Sequence, residues 1–220
     1  MILSLRDLME KVFLNLSVNY TDVNWLYERA ILAPTNEMFD KLNQKLLQKL
    51  RYIRIDFSIN CQQSIKIRSF ELLNTLKPTG MPPHNLTLKL GAAIRLLKNL
   101  DQSYLCYGTR LIVTLMMSRV LKATIITGTH KGENAFILKI PLIPTGVPFE
   151  FKTLQLRVRL SFGISNNKPH GQSLKTVALG LSSACFSHGH LYVACARVGS
   201  SNNLFISTPI KKLHNEYCLP

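Results

Sequence analysis

Residues 161–200, SFGISNNKPHGQSLKTVALGLSSACFSHGHLYVACARVGS, hold most of the side chains in this chain whose types and spacing suit chemistry. Ser165 to Ser173 is a polar loop containing Gly171. Backbone N–H groups in such a loop can cradle a phosphate, with Lys168 as a nearby cation. Arg197 ends an amphipathic segment and offers a second cation to a nucleotide. An ordinary polar turn and a surface arginine are the plainer readings of the same residues. His188 and His190 flank Gly189 with no third ligand at metal-binding spacing, so solvated or capping roles are expected and no metal site is predicted.

Charge favours a polyanionic partner. The 220 residues carry a net charge of +15, and from Gln102 to Lys212 the only acids are Glu133 and Glu150. Nucleic acid is the usual partner of so acid-poor a surface, although a basic protein without one has the same composition. The five cysteines, at 61, 106, 185, 195 and 218, form no C-x-x-C pair. Cys195, in the apolar run LYVACA, is expected as a small buried thiol. The first residues, MILSLRDLMEKVF, are interrupted by Arg6, Asp7, Glu10 and Lys11, which argues against a signal peptide. No uncharged run reaches membrane-spanning length, and the chain reads as intracellular and reduced.

The elements that must position these residues begin with a helix over 3–14, apolar at Leu5, Leu8, Val12 and Phe13. Asp22 caps a short helix through Trp25, Leu26 and Arg29, and Ala30 to Ala33 is a short strand. Thr35-Asn36 opens a helix from Glu37 to Leu50. Phe39, Leu42, Leu46 and Leu50 share its apolar face, acids occupy its first turn and lysines follow. Tyr52 to Ile59 alternates as a half-buried strand, which completes an α/β beginning. Short β-rich runs then follow at 92–97, 111–117, 121–127 and 135–140, separated by turns containing Gly, Asn, Asp or Ser. They predict a small sheet or barrel inserted into the α/β domain. Leu154 to Phe162 has a strict period of two and is expected as one returning strand. Helical spacing over 190–198 and a closing strand at 204–207 complete the pattern.

The chain resembles the C-terminal half of the Pif-type ATP-dependent DNA helicases, in the branch carried by Helitron transposable elements. The resemblance rests on ERAILAPTN (28–36), FELLNTLKPTGMPPHNLTLKLGAAIRLLKNLD (70–101), GTRLIV (108–113), ITGTHKGENAFI with IPLIPT, NKPHGQSL (167–174) and FSHGHLYVACARV (186–198). It implies an α/β fold: a second RecA-like helicase domain with a small β-barrel insertion of the 2B type. The implied layout is a helical lead-in at 1–27, a RecA-like domain from 28–60 and 150–210, the insertion at 61–149 and a tail at 211–220. The pattern T-x-N-K-S-Q-G-Q-[ST] falls on Ser165 to Ser173. Together with the A-P-T-N block it implies single-stranded DNA contacts at Thr35, Asn36, Ser165, Asn167, Lys168 and His170. Nucleotide contacts are implied at Gly171, Gln172 and Arg197. Y-V-A-x-S-R-V falls on Tyr192 to Val198, and its Arg197 is expected to act across a cleft on the γ-phosphate.

Several positions depart from the family pattern. Pro169 replaces Ser, His170 replaces Gln and Ala196 replaces the Ser before Arg197. Proline removes an N–H, and imidazole cannot reproduce the paired donor and acceptor of an amide. Tyr107 stands where Asn usually precedes Gly-Thr-Arg, and it is a candidate for stacking on a base. No G-x-x-x-x-G-K-[ST] occurs in the sequence. ATP and Mg²⁺ are therefore expected only with a complementary N-terminal RecA-like domain, and the chain alone is expected not to hydrolyse ATP. The expected partners are single-stranded DNA and that domain, and the implied location is the nucleus. The rival expectation is a catalytically inactive nucleic-acid-binding remnant.

Overall fold

A computed structural model describes residues 4–33, 35–50, 54–57, 60–63, 82–83, 86–143, 151–165, 174–180, 192 and 195–207. In chain order the first elements are α1 (Leu5–Val12), α2 (Leu16–Asn19), α3 (Val23–Tyr27), β1 (Arg29–Ala33) and α4 (Asn36–Lys49). The strands β2 (Arg54–Phe57), β3 (Asn60–Gln63), β4 (Leu86–Lys89), β5 (Ala93–Leu96), β6 (Arg110–Met116), β7 (Val120–Ile125), β8 (Asn134–Leu138) and β9 (Ile140–Leu142) follow. Then come β10 (Phe151–Gln155), β11 (Val158–Leu160), β12 (Gly163–Ser165), β13 (Thr176–Gly180), a 3₁₀ turn (Ser201–Asn203) and β14 (Leu204–Ser207). The fold is mixed α/β, and the chain divides into two compact units. The first contains Met1–Arg51 and Ser161–Pro220, and the second contains Tyr52–Leu160.

The first unit is built on a parallel sheet in the order β12-β1-β13-β14. Residues 30–33 of β1 and 177–180 of β13 are buried without alternation, as expected of parallel strands covered on both faces. The helices start where local chemistry directs. Ser4 Oγ accepts from Asp7 N–H at 3.2 Å, and Asp7 Oδ2 accepts from Ser4 N–H at 2.9 Å, closing a capping box at α1. The hydrogen bonds from Ser4 hold the Asp7 carboxyl below its ordinary pKa. Asp22 accepts from the N–H groups of Asn24 and Trp25 to start α3, and Thr35 accepts from Met38 N–H to start α4.

Asn43 lies on the apolar face of α4 and is buried. Its amide donates to Phe39 O at 3.0 Å, and its Oδ1 accepts from Gly163 N–H at 2.9 Å. This side chain fixes α4 against β12. A Cβ on Gly163 would lie 3.0 Å from Leu42 Cδ2 and 3.2 Å from Ile31 O, so the strand approaches the helix closely because that residue is glycine.

The second unit contains an antiparallel sheet in the order β11-β5-β6-β7-β8, a second sheet in the order β3-β10-β9, and the pair β2-β4. β7 alternates buried and half-buried positions and β8 alternates buried and exposed ones, giving one face to the core and one toward solvent. Arg95 and Arg110 face each other across β5 and β6 and are buried, so part of the positive charge is withheld from the surface.

Three expectations need correction. The described strands form open sheets; the outer strands β11 and β8 do not pair, so they make no closed barrel. The strand after α4 does not join β1, because β2 pairs antiparallel with β4 in the second unit. Leu154 to Phe162 is not one strand. β10 pairs with β3 and β9, whereas β11 pairs with β5. The break falls at Leu156 and Arg157, where Gln155 and Leu156 are both buried and the Arg157 carbonyl accepts from Leu97 N–H. Serving two sheets requires the chain to turn there, which a period of two does not reveal.

Candidate nucleic-acid interface

The candidate residues of the first unit fall at two ends of its parallel sheet. β1 and β12 are neighbours in parallel register, with Ala33 opposite Ser165. Thr35 lies two residues beyond Ala33, as the cap of α4, and Asn36 begins that helix. The carboxyl ends of adjacent strands therefore bring Thr35, Asn36 and Ser165 together. That edge is where open α/β sheets place ligands, because the strands end there and helices begin. Thr35 is half-buried and its hydroxyl is engaged by the helix, while Asn36 is exposed. The edge is local in origin: β1 ends before a Pro-Thr pair, and the threonine caps the next helix.

Arg197 lies at the amino end of the same sheet. Its carbonyl accepts from Leu174 N–H at 2.9 Å, and Val198 bridges Leu174 in parallel. The N–H groups of Lys175 and Thr176 donate to Glu28 O, just before β1 starts. Strands of this length separate the two ends of the sheet by about 16 Å. Ala196 N–H donates to Tyr192 O at 2.9 Å, the spacing of a helical turn that stops at the arginine. Cys195 and Val198 anchor this turn on the core formed by Ala30, Leu32, Leu174, Val177 and Leu179. Cys195 is thus half-buried against the core, short of the full burial expected for its thiol. Arg197 Nε is buried and has no hydrogen-bond partner among the described residues.

The amino end also carries charge. Glu28 lies 3.8 Å from Arg29 and 3.9 Å from Lys175. Arg29 stacks 4.5 Å over the Trp25 ring and donates to Trp25 O at 2.9 Å. Burial lowers its pKa. Trp25 also meets Phe13 edge-on at 6.0 Å, a packing role.

Asn167, Lys168, His170, Gly171 and Gln172 lie outside the described residues, as do Pro169, His188 and His190. In the second unit, Tyr107 is 49% exposed, and its N–H donates to Asn99 Oδ1 at 2.6 Å. Among the described residues, no three His, Cys, Asp or Glu side chains group to hold a metal ion, and no helix is long and apolar enough to cross a membrane. The positioning role of Asn43 was not anticipated from the sequence. A lone amide among Phe39, Leu42 and Leu46 on one helix face was the available signal.

Residues 71–116 match the family model described as DNA helicase Pif1, 2B domain. Comparison with curated proteins finds no match. Among solved structures, one of two coordinating Pif1 helicases at forked double-stranded DNA is similar at 17% identity and a TM-score of 0.63, over 88% of this chain and 46% of that chain. Pif1 helicase from Candida albicans is similar at 19% identity and a TM-score of 0.62, over 81% of this chain and 44% of that one. Pif1 helicase from Bacteroides, in complex with ADP-AlF3 and single-stranded DNA, is similar at 18% identity and a TM-score of 0.61, over 92% of this chain and 44% of that one. This chain therefore spans less than half the length of each of these proteins. Residues 71–116 thus resemble the Pif1 2B domain, and the chain shares the mixed α/β fold of the Pif1 helicase structures it matches.

Proposed function

We infer that the chain is the C-terminal part of an ATP-dependent 5′–3′ DNA helicase, with the first unit as its second RecA-like domain and the second unit as the 2B-type insertion. The register of β1 with β12 carries this reading, because it joins Thr35, Asn36 and Ser165 at one strand edge. Their hydroxyl and amide groups suit the phosphates and sugars of a single strand, and Asn167, Lys168 and His170 extend that track. Nucleotide contacts at Gly171 and Gln172 belong to the same reading.

Arg197 acts across the cleft. Its Nε–H has no hydrogen-bond partner among the described residues and so is not already engaged by another group. A bound nucleotide with Mg²⁺ supplies the phosphoryl group on which charge builds during transfer. The arginine's part is to hold positive charge against that group. The P-loop that cradles the nucleotide belongs to a further RecA-like domain, since this sequence contains no such motif. The same reading assigns the protein to the nucleus.

Mixing the chain with a cognate P-loop domain is expected to give ATPase activity stimulated by single-stranded DNA. Arg197→Ala should abolish turnover while leaving DNA binding intact. Association without any turnover would overturn the motor reading. The rival is a non-catalytic nucleic-acid-binding remnant of a Helitron helicase. It draws on the +15 charge and on Pro169, His170 and Ala196, and it predicts salt-sensitive DNA binding with no ATPase under the same conditions.

A further inference from the structure

We propose that the free edge of β8 is a docking site for an extended, acidic segment of a partner protein, which adds to the second unit's sheet as a sixth strand. Among the described residues β8 pairs only with β7. Ile125 N–H donates to Glu133 O, and Lys139 N–H donates to Arg119 O. Antiparallel pairing alternates, so residues 135 and 137 also bond toward β7, while 134, 136 and 138 direct their N–H and C=O groups outward. The Tyr104 hydroxyl confirms this direction by donating to the outward Asn134 carbonyl at 3.1 Å. Phe136 and Leu138 each keep a backbone donor and acceptor that no described strand pairs.

The side chains make the edge more adhesive. Phe136 is 58% exposed and Leu138 57% exposed, and the strand NAFIL contains no charge, proline or glycine. Natural sheets usually protect an edge with such residues, so an unprotected one is a pairing template. Phe136 pairs with Lys122 on β7 and Leu138 with Val120, and Leu115 on β6 extends the same apolar surface. Lys122 Nζ lies 6.0 Å from the Phe136 ring centre.

Charge selects the occupant. Residues 86–143 contain eight lysines and arginines, of which Arg95 and Arg110 are buried, against Asp101 and Glu133. Arg119, Lys122 and Lys139 stand beside or just beyond the edge, and Glu133 precedes it. An extended segment alternating acidic and apolar residues would satisfy the backbone edge and both kinds of side chain. Nucleic acid has no peptide ladder to offer, and a second copy would bring the same positive charge. This inference does not depend on the helicase reading.

The test uses the isotope-labelled full chain and a synthetic peptide alternating glutamate and valine, with its lysine–valine counterpart and oligothymidylate as comparisons. The acidic peptide is expected to shift and protect the Phe136 and Leu138 amides, and the basic one is not. Leu138→Pro removes an outward N–H without breaking the ladder to β7. It should weaken the acidic peptide by at least about tenfold with an unchanged melt. Lys122→Glu leaves the edge backbone intact and should weaken the acidic peptide while strengthening the basic one. Equal peptide affinity in the wild type and both variants would overturn the proposal. So would protection of those amides by oligothymidylate or by self-association in place of the peptide.

Discussion

The two sheets use apolar residues in opposite ways. In the parallel sheet of the first unit, β1 buries Ala30 to Ala33 and β13 buries Val177 to Gly180 in unbroken runs. In the antiparallel sheet of the second unit, β8 buries Ala135 and Ile137 but exposes Asn134, Phe136 and Leu138. Buried in unbroken runs, the central strands of the first sheet leave their ends to meet a ligand, and its candidate contacts gather there. The second has a face and an edge open, so its apolar side chains are both core and surface. A substitution should therefore be read by its place in a sheet as much as by its residue type.

Truncations test that difference most strongly. Leu32→Ala in β1 should cost about 2–5 kcal/mol, because it opens a cavity at a buried position of that strand. Chemical denaturation of the full chain measures it. Asn43→Ala should cost about 1–3 kcal/mol, since the Gly163 N–H would be left buried without its acceptor. Leu138→Ala, an apolar truncation like that of Leu32, should stay within about 0.5 kcal/mol because the side chain faces solvent. A loss at Leu138 as large as that at Leu32 would erase the contrast between the sheets.

The smallest effect is expected with pH, once in each unit. Asp7 is held below its ordinary value of 3.8 chiefly by Ser4, and Asp101 likewise by Ser103. A lowered folded-state pKa means that each carboxylate's stabilising contribution is fully present above the unfolded value. It is lost as pH falls through the lower folded value. Acid titration by NMR should show the start of α1 and the turn at 101–105 loosening below about pH 4. Asp7→Asn should flatten the first transition and leave the second in place.

Much of the first unit was legible because its signals are local. The acid-to-lysine order and apolar spacing of α4 lie within its own residues, as does the Thr35 cap. The strand character of β8 is also visible in NAFIL, but its alternation is not, because the exposed Phe136 and Leu138 are as apolar as the buried Ala135 and Ile137. Sheet membership was not legible. Nothing near Arg54–Phe57 marks it as a partner of β4 and not of β1, because that choice depends on residues far along the chain. Leu154 to Phe162 looked continuous for the same reason. At the candidate site, the Thr35 cap could be read directly, but the juxtaposition of Ser165 with Ala33 required the register of two strands distant in sequence.

The hydrogen bond from Gly163 to Asn43 joins residues 120 positions apart, with the whole second unit threaded between them. Closing so long a flexible loop is slow and entropically costly, although each doubling of length adds only about 0.6 kcal/mol. A second unit that collapses first shortens the effective tether before β12 has to find β1. On the ribosome, α1 to α4 emerge well before the strands that complete their sheet. The inserted unit is then the natural first step in folding, and the parallel sheet closes last.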